Sequence, residues 1–345
     1  MKLYNLGVVP WLDSQLIYHA LPRLRREGLV LLSPDSPYVC IGYHQDLVQE
    51  VDVAYCQTHS IPLFRREVGG GAVYLDSGQL FYQLVIRSDS SLVPSGKEAF
   101  YRRFLEPVAE TYRAIGIPAS YRPVNDLITE GGQKISGTGA AEIEDHLVLV
   151  GNLIMDFNYE MMARILKVPD EKYRDKVHKT MQENLTTIQR ELGMVPPRGE
   201  LERLLIANLE KVLGPLEEDT LDDQASQMVT TLTKQFQSEE WLYKKGKKRV
   251  GWETKITTGV EVKQKVHKAP GGLIRATAVL REGVIDSVSI SGDFFFYPKE
   301  EMEALEATLE GKAISQTEEV IEDFYREKQI DSPGVTPSDL AKLLL

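Results

Sequence analysis

Residues 65–76 read Arg65-Arg66-Glu67-Val68-Gly69-Gly70-Gly71-Ala72-Val73-Tyr74-Leu75-Asp76, three successive glycines behind paired arginines. Glycine lacks a Cβ, so its backbone takes positive φ and approaches a ligand closely. Successive exposed N–H groups form an anion-binding concavity. Arginine adds a permanent planar charge suited to phosphate or carboxylate. The composite fits a phosphorylated ligand. The ordinary alternative is a flexible turn with two solvated arginines, because glycine runs punctuate turns. No Gly-Lys-Ser/Thr follows, and the glycines lack the dinucleotide spacing, so neither common nucleotide loop applies.

A second stretch lies downstream. Asn125-Asp126-Leu127-Ile128-Thr129, a turn at Glu130–Gly132, and then Gln133-Lys134-Ile135-Ser136-Gly137 predict a hairpin. One register sets Ile128 opposite Lys134 and puts Asp126 and Lys134 on the same face; a one-residue slip separates them. A carboxylate and a lysine near a glycine-rich anion loop can hold a reacting acyl phosphate, the lysine steadying charge on the transferring oxygens. The ordinary reading of Lys134 alone is a solvated lysine on a hairpin.

The rest of the chain sets the frame. Its 345 residues suit two domains, and 42% hydrophobic residues suffice for packed cores. A formal net charge of −11 disfavours general binding of nucleic acid or anionic membrane. Two cysteines, Cys40 and Cys56, exclude a disulfide framework and a four-cysteine zinc site. No apolar run is long enough for a membrane span, and the first twenty residues show no secretory signal. The expectation is a cytoplasmic enzyme with no nucleic-acid or membrane partner.

Residues 11–21 predict a helix stopped by Pro22, and 28–32 and 37–43 predict strands. Residues 72–86 predict a hairpin broken at Asp76–Gly78. A helix is expected over 97–115, a strand at 146–157, and helices from Asn158 to Tyr243. Lys244–Arg249 predicts a linker. Beyond it, two paired strands turn at Arg281–Gly283. A helix follows with Met302, Leu305 and Leu309 on one face and Gly311 as its stop. Cys40 reads as a small core residue. Cys56 has no neighbouring base to activate it. His44, His146 and His178 lack metal-like spacing. Phe294–Tyr297 reads as packing against the final helices, and 217–223 as a solvated acidic surface.

Together, RREVGGGAVYLD (65–76) and NDLITEGGQKISGTGA (125–140) resemble the lipoate–protein ligase family. CIGYHQ (40–45) is similar to its Gly-x-x-Gln element, and LKVPDEKYRDK (166–176) to its segment after the core sheet. KAPGGLIRATAVLREGVIDSVSISGDFF (268–295) is similar to its accessory domain, here fused. The resemblance implies an α/β (α+β) fold. Its catalytic domain, 1–245, would carry a mixed sheet related to biotin ligases and class II aminoacyl-tRNA synthetases. A small α/β C-terminal domain would span 250–345. It implies two steps: lipoate and ATP give lipoyl-adenylate and pyrophosphate, and the acyl group then passes to a carrier lysine. By position Lys134 matches the catalytic lysine. Arg66 and Gly69, Gly70, Gly71, Ala72, Val73 and Tyr74 match the nucleotide-binding stretch, with Asp76 at its end. Asn125 and Asp126 match the pair beside the adenylate, and Ser136 and Gly137 complete the lysine motif. Mg²⁺ is expected with ATP. The implied partner is a lipoyl domain or a glycine-cleavage H-like protein.

Leu75-Asp76 and Val150-Gly151-Asn152 depart from the family's His-Asp and His-Gly-Thr, near the acyl site. Three rival readings fit the residues less well. An ATP-independent octanoyltransferase needs a nucleophilic cysteine, and none follows Cys56. A biotin ligase has an alternating Gly-Arg pattern that is missing here. A non-catalytic lipoate or adenylate binder would not need intact Arg66, Asp126 and Lys134.

Overall fold

The computed structural model describes residues 1–246 and 260–345. The stretch expected as a linker, 244–249, lies outside the described residues from position 247 on. The chain divides into two compact units. One comprises Met1–Cys40, Asp52–Phe64 and Val73–Gln237; the other comprises Ile41–Val51, Arg65–Ala72 and Ser238–Leu345.

The first unit is built on a six-stranded mixed sheet. Its order is Thr138–Ile143, His146–Ile154, Gln79–Arg87, Gly28–Pro34, Lys2–Val9 and Glu217–Glu218. Lys2–Val9 runs parallel to both its neighbours, and the remaining pairs are antiparallel. Gly28–Pro34 is buried at every residue, as a continuous apolar run in mid-sheet should be. The helix Lys97–Ala114 buries Phe100, Tyr101, Phe104, Leu105, Val108 and Tyr112. That helical spacing gathers them with Leu201, Leu205 and Leu209 of the helix Arg198–Leu213 into one core.

Two expectations need correction. Pro22 does not stop the first helix, which spans Asp13–Arg23. In a last turn proline removes one donor only; the amide of Leu24 still bonds Ala20 O, and Arg25 at φ 55° turns the chain. The two strands of 72–86 exist but do not pair with each other. Val73–Leu75 pairs with Tyr38–Ile41, whereas Gln79–Arg87 enters the large sheet. The Asp76 carboxylate accepts from the Gly78 amide at 2.9 Å, and this local turn redirects the chain to a different sheet. The acidic residues of 217–223 are exposed, as expected, and Asp222 also serves the fold. It grips Arg26 at 2.7 and 2.8 Å and caps the helix Asp223–Phe236 at the Ala225 amide. The Arg26 guanidinium, then that amide, hold its carboxyl down to about 2.

In the second unit Val260–Ala269, Gly272–Arg281 and Val284–Gly292 form an antiparallel sheet. The helices Glu301–Leu309 and Thr317–Lys328 pack on it through Met302, Leu305, Leu309, Ile321 and Phe324. Gly311, at φ 80°, follows the first of these helices as expected. A buried ion pair lies in this unit. Lys245 Nζ is 2.9 Å from Glu306 Oε1, which also accepts from the Ile290 amide at 2.7 Å. Removing one partner of such a pair strands a charge. Lys245→Met should therefore cost about 3 kcal/mol in chemical denaturation. Lys245→Met with Glu306→Gln, which keeps an acceptor for Ile290, should recover most of that loss.

Candidate active site

Asp126–Thr129 and Lys134–Ser136 form the expected antiparallel hairpin, with Ile128 opposite Lys134. A bulge then sets Leu127 opposite Ser136. Lys134 Nζ lies 2.6 Å from Asp126 Oδ1, and Arg122 donates to Asp126 Oδ2 at 2.9 Å. Burial pushes the Asp126 carboxyl up, but Lys134 and then Arg122 outweigh it and hold it below the usual carboxylate range. The lysine side chain keeps 34% of its surface exposed, so its ammonium is held in place yet reachable.

The strand carrying Lys134 has supports that the sequence did not reveal. Lys134 O accepts from the Thr186 amide at 2.8 Å. Arg190 donates to the carbonyls of Leu185 at 2.8 Å and Gln182 at 2.9 Å, and to the Tyr159 hydroxyl at 3.0 Å. Downstream, the Ser136 hydroxyl donates to Asn152 O at 2.6 Å, and the Tyr112 hydroxyl donates to Ile135 O at 2.7 Å. The Gly137 amide donates to Asn152 Oδ1 at 2.8 Å. Asn125 and Thr138 clasp one another reciprocally, each side chain bonding the other's carbonyl.

The glycine motif crosses the division between the units: 65–72 belong to the second and Val73 onward to the first. Its arginines are neither solvated nor equivalent. Arg65 is fully buried. Its guanidinium donates to the carbonyls of Gly42, Tyr43, Gln45, Trp241 and Leu242. That role is architectural. Arg66 curls into its own loop, donating to Gly69 O at 2.8 Å and Gly71 O at 2.9 Å. The glycines differ as well. Gly70 stands at φ 87°, and its amide bonds Phe294 O at 3.3 Å, so this N–H is engaged within the chain, not exposed. A Cβ on Gly69 would lie 2.8 Å from Phe294 O. A Cβ on Gly71 would meet nothing closer than 3.6 Å, so the chain's own packing does not require glycine there.

Phe294 and Phe296 pack with the final helices as expected, and Phe294 also stacks on His44, centroids 5.0 Å apart. Burial, then nearby Lys245, holds His44 well below the usual histidine range, so it is neutral. Tyr74 is buried; desolvation, then Asp76, pushes its phenol up to about 12. Burial also raises the Asp76 carboxyl. Asp76 borders a 590 Å³ cleft lined further by Gly78, Asp156, Tyr159, His178 and Gln182. Cys40 is buried beside Gln15. Burial, then Asp52, pushes the Cys56 thiol up to about 11, which leaves almost no thiolate at neutral pH. Among the described residues no cluster of His, Cys, Asp and Glu could hold a metal ion.

Residues 12–210 match the family described as the lipoyl protein ligase A/B catalytic domain, and 262–344 match the bacterial lipoate protein ligase C-terminus. The chain belongs to the lipoate–protein ligase family. It is 30% identical over 214 residues to lipoate-protein ligase A subunit 1 of Thermoplasma acidophilum, covering 59% of this chain and 79% of that protein. It also resembles two solved structures of lipoate–protein ligases. One is from a study of a bipartite ligase and its E2 lipoyl domain from Thermoplasma acidophilum: 26% identity, TM-score 0.62, covering 70% of this chain and 95% of that one. The other is lipoate-protein ligase A bound with ATP: 25% identity, TM-score 0.59, covering 70% and 98%.

Because the folded Asp126 carboxyl titrates below its unfolded value, its ionised form stabilises the fold above the ordinary carboxylate range. That contribution is lost as pH falls through the folded value. Asp126→Asn should therefore lower the melting temperature at pH 7, and the gap from wild type should close below about pH 4.

Proposed function

We propose that the chain is an ATP-dependent lipoate–protein ligase that forms lipoyl-adenylate and passes the lipoyl group to a lysine of a carrier protein. The observation that carries this reading is the Lys134–Asp126 ion pair at 2.6 Å, on a hairpin in the family's sequence register. A carboxylate is a poor electrophile, and adenylation gives it a leaving group. The protein's work is then to position reactants and stabilise charge.

In this reading Lys134 is the catalytic residue. Its ammonium offers charge to the acyl oxygen and the phosphate, and Asp126 with Arg122 keeps it oriented. Arg66 and the backbone of Gly69–Tyr74 take the nucleotide, glycine allowing close approach of the chain to a phosphate. Asn125 and Asp126 border the adenylate, and Asp76, Ser136 and Gly137 shape its surroundings. Mg²⁺ would enter on the ATP phosphates and neutralise their charge.

The similar Thermoplasma ligase was studied with an E2 lipoyl domain. A lipoyl domain is the carrier class proposed for this chain, with a glycine-cleavage H-like protein as the other candidate. No helix of the described residues is long and apolar enough to cross a membrane; a cytoplasmic enzyme remains the proposal from the sequence. Residues 1–245 would carry catalysis and 250–345 would be accessory. The raised Cys56 thiol speaks against a cysteine-based transferase.

Purified protein with lipoate and ATP should release pyrophosphate and add one lipoyl group to an apo lipoyl domain, read by intact mass. Lys134→Ala should abolish both while keeping the wild-type circular dichroism spectrum. Full carrier modification by that variant would exclude Lys134 from the chemistry.

A further inference from the structure

We infer that Gln79 and Asn152 are positioning residues for the Lys134 strand, acting through a one-way relay of hydrogen bonds from the Gly137 amide to the Tyr74 carbonyl. The Gly137 N–H donates to Asn152 Oδ1 at 2.8 Å. Asn152 Nδ2 donates to Gln79 Oε1 at 2.6 Å, and Gln79 Nε2 donates to Tyr74 O at 3.2 Å. Gln79 is 1% exposed and Asn152 8%, so water competes little for these bonds.

The sense of the relay is imposed by its ends. A backbone N–H can only donate and a backbone carbonyl can only accept. With those groups at the two termini, only one orientation of both side-chain amides satisfies all three bonds. The relay also has little slack. A Cβ on Gly151 would lie 2.2 Å from the Tyr82 hydroxyl, so the strand bearing Asn152 is pressed against that ring. The Asn152 carbonyl meanwhile accepts from the Ser136 hydroxyl at 2.6 Å. Asn152 thus holds two successive residues just beyond Lys134, and Gln79 ties that grip to the end of the glycine motif. A threonine at 152, as in the family pattern, would have to accept from Gly137 and donate to Gln79 through one oxygen, whereas asparagine presents a separate atom to each.

The inference rests on the proposed role of Lys134 only for its effect on catalysis. Gln79→Leu and Asn152→Leu cut the relay at its two halves while roughly keeping volume. Asn152→Asp keeps the acceptor for Gly137 but offers Gln79 an oxygen; Gln79 must then turn and face the Tyr74 carbonyl with its own oxygen. In lipoate-dependent pyrophosphate exchange, each variant should lose kcat by roughly tenfold or more, because small displacements of a charged group are costly in rate. In Asn152→Leu, which leaves the Gln79 bond to the Tyr74 carbonyl in place, KM for ATP should stay within about twofold. The Gln79→Leu/Asn152→Leu double variant should lose little more than the worse single one. Hydrogen exchange at the Gly137 amide should accelerate in Gln79→Leu, a residue that does not touch it, while thermal unfolding stays cooperative. Unchanged Gly137 exchange in Gln79→Leu overturns the relay, and faster exchange with unchanged kcat overturns its positioning role. Wild-type protein without pyrophosphate exchange would refute the ligase reading instead, and the Gly137 measurement would still decide the relay.

Discussion

A lysine serves anion chemistry only if it is held without being spent. The Asp126–Lys134 pair meets that condition: the carboxylate orients the ammonium, Arg122 shares the same carboxylate, and a third of the lysine side chain stays open. Much of the first unit can be read as support for this geometry. The bulged hairpin sets the two side chains on one face, the Thr186 amide braces the lysine's own carbonyl, and Arg190 braces the segment that supplies that amide. The large sheet then provides the rigid neighbour, Asn152, against which the motif's last two residues are bonded.

The hairpin was legible in the sequence because its determinants are local. A two-glycine turn and alternating apolar residues decide the register, and the register decides that Asp126 meets Lys134. The helix Lys97–Ala114 and the strands Gly272–Arg281 and Val284–Gly292 were legible for the same reason. Tertiary pairing was not. The strands flanking Asp76–Gly78 carry the composition of a hairpin, yet one joins Tyr38–Ile41 and the other the large sheet. Nothing local tells a chain reversal from a change of sheet. Pro22 misled because a proline removes one donor without necessarily ending a helix: Asp13–Arg23 runs one residue past it, and Lys97–Ala114 runs on past Pro107.

The same limit shaped the reading of the site. Paired arginines look alike in sequence, but Arg65 meets five carbonyl oxygens and is architecture, whereas Arg66 curls around the glycine loop. Three glycines also look alike. Gly69 and Gly70 answer to the Phe294 carbonyl and a positive φ, and only Gly71 is free of such demands. Thr186, Arg190 and Gln79 carried no sequence signal: Thr186 acts through its own amide, and the side chains of Arg190 and Gln79 reach main-chain carbonyls that any residue type would present.

The burial of Arg65 bears on how the molecule is made. Its guanidinium gathers carbonyls from residues 42–45 and from Trp241 and Leu242, which leave the ribosome far apart in time. Until the later pair emerges, this early arginine lacks two of its five carbonyl partners. Domains assemble as units during synthesis, and this one closes around its oldest residues only after most of the polypeptide has been translated.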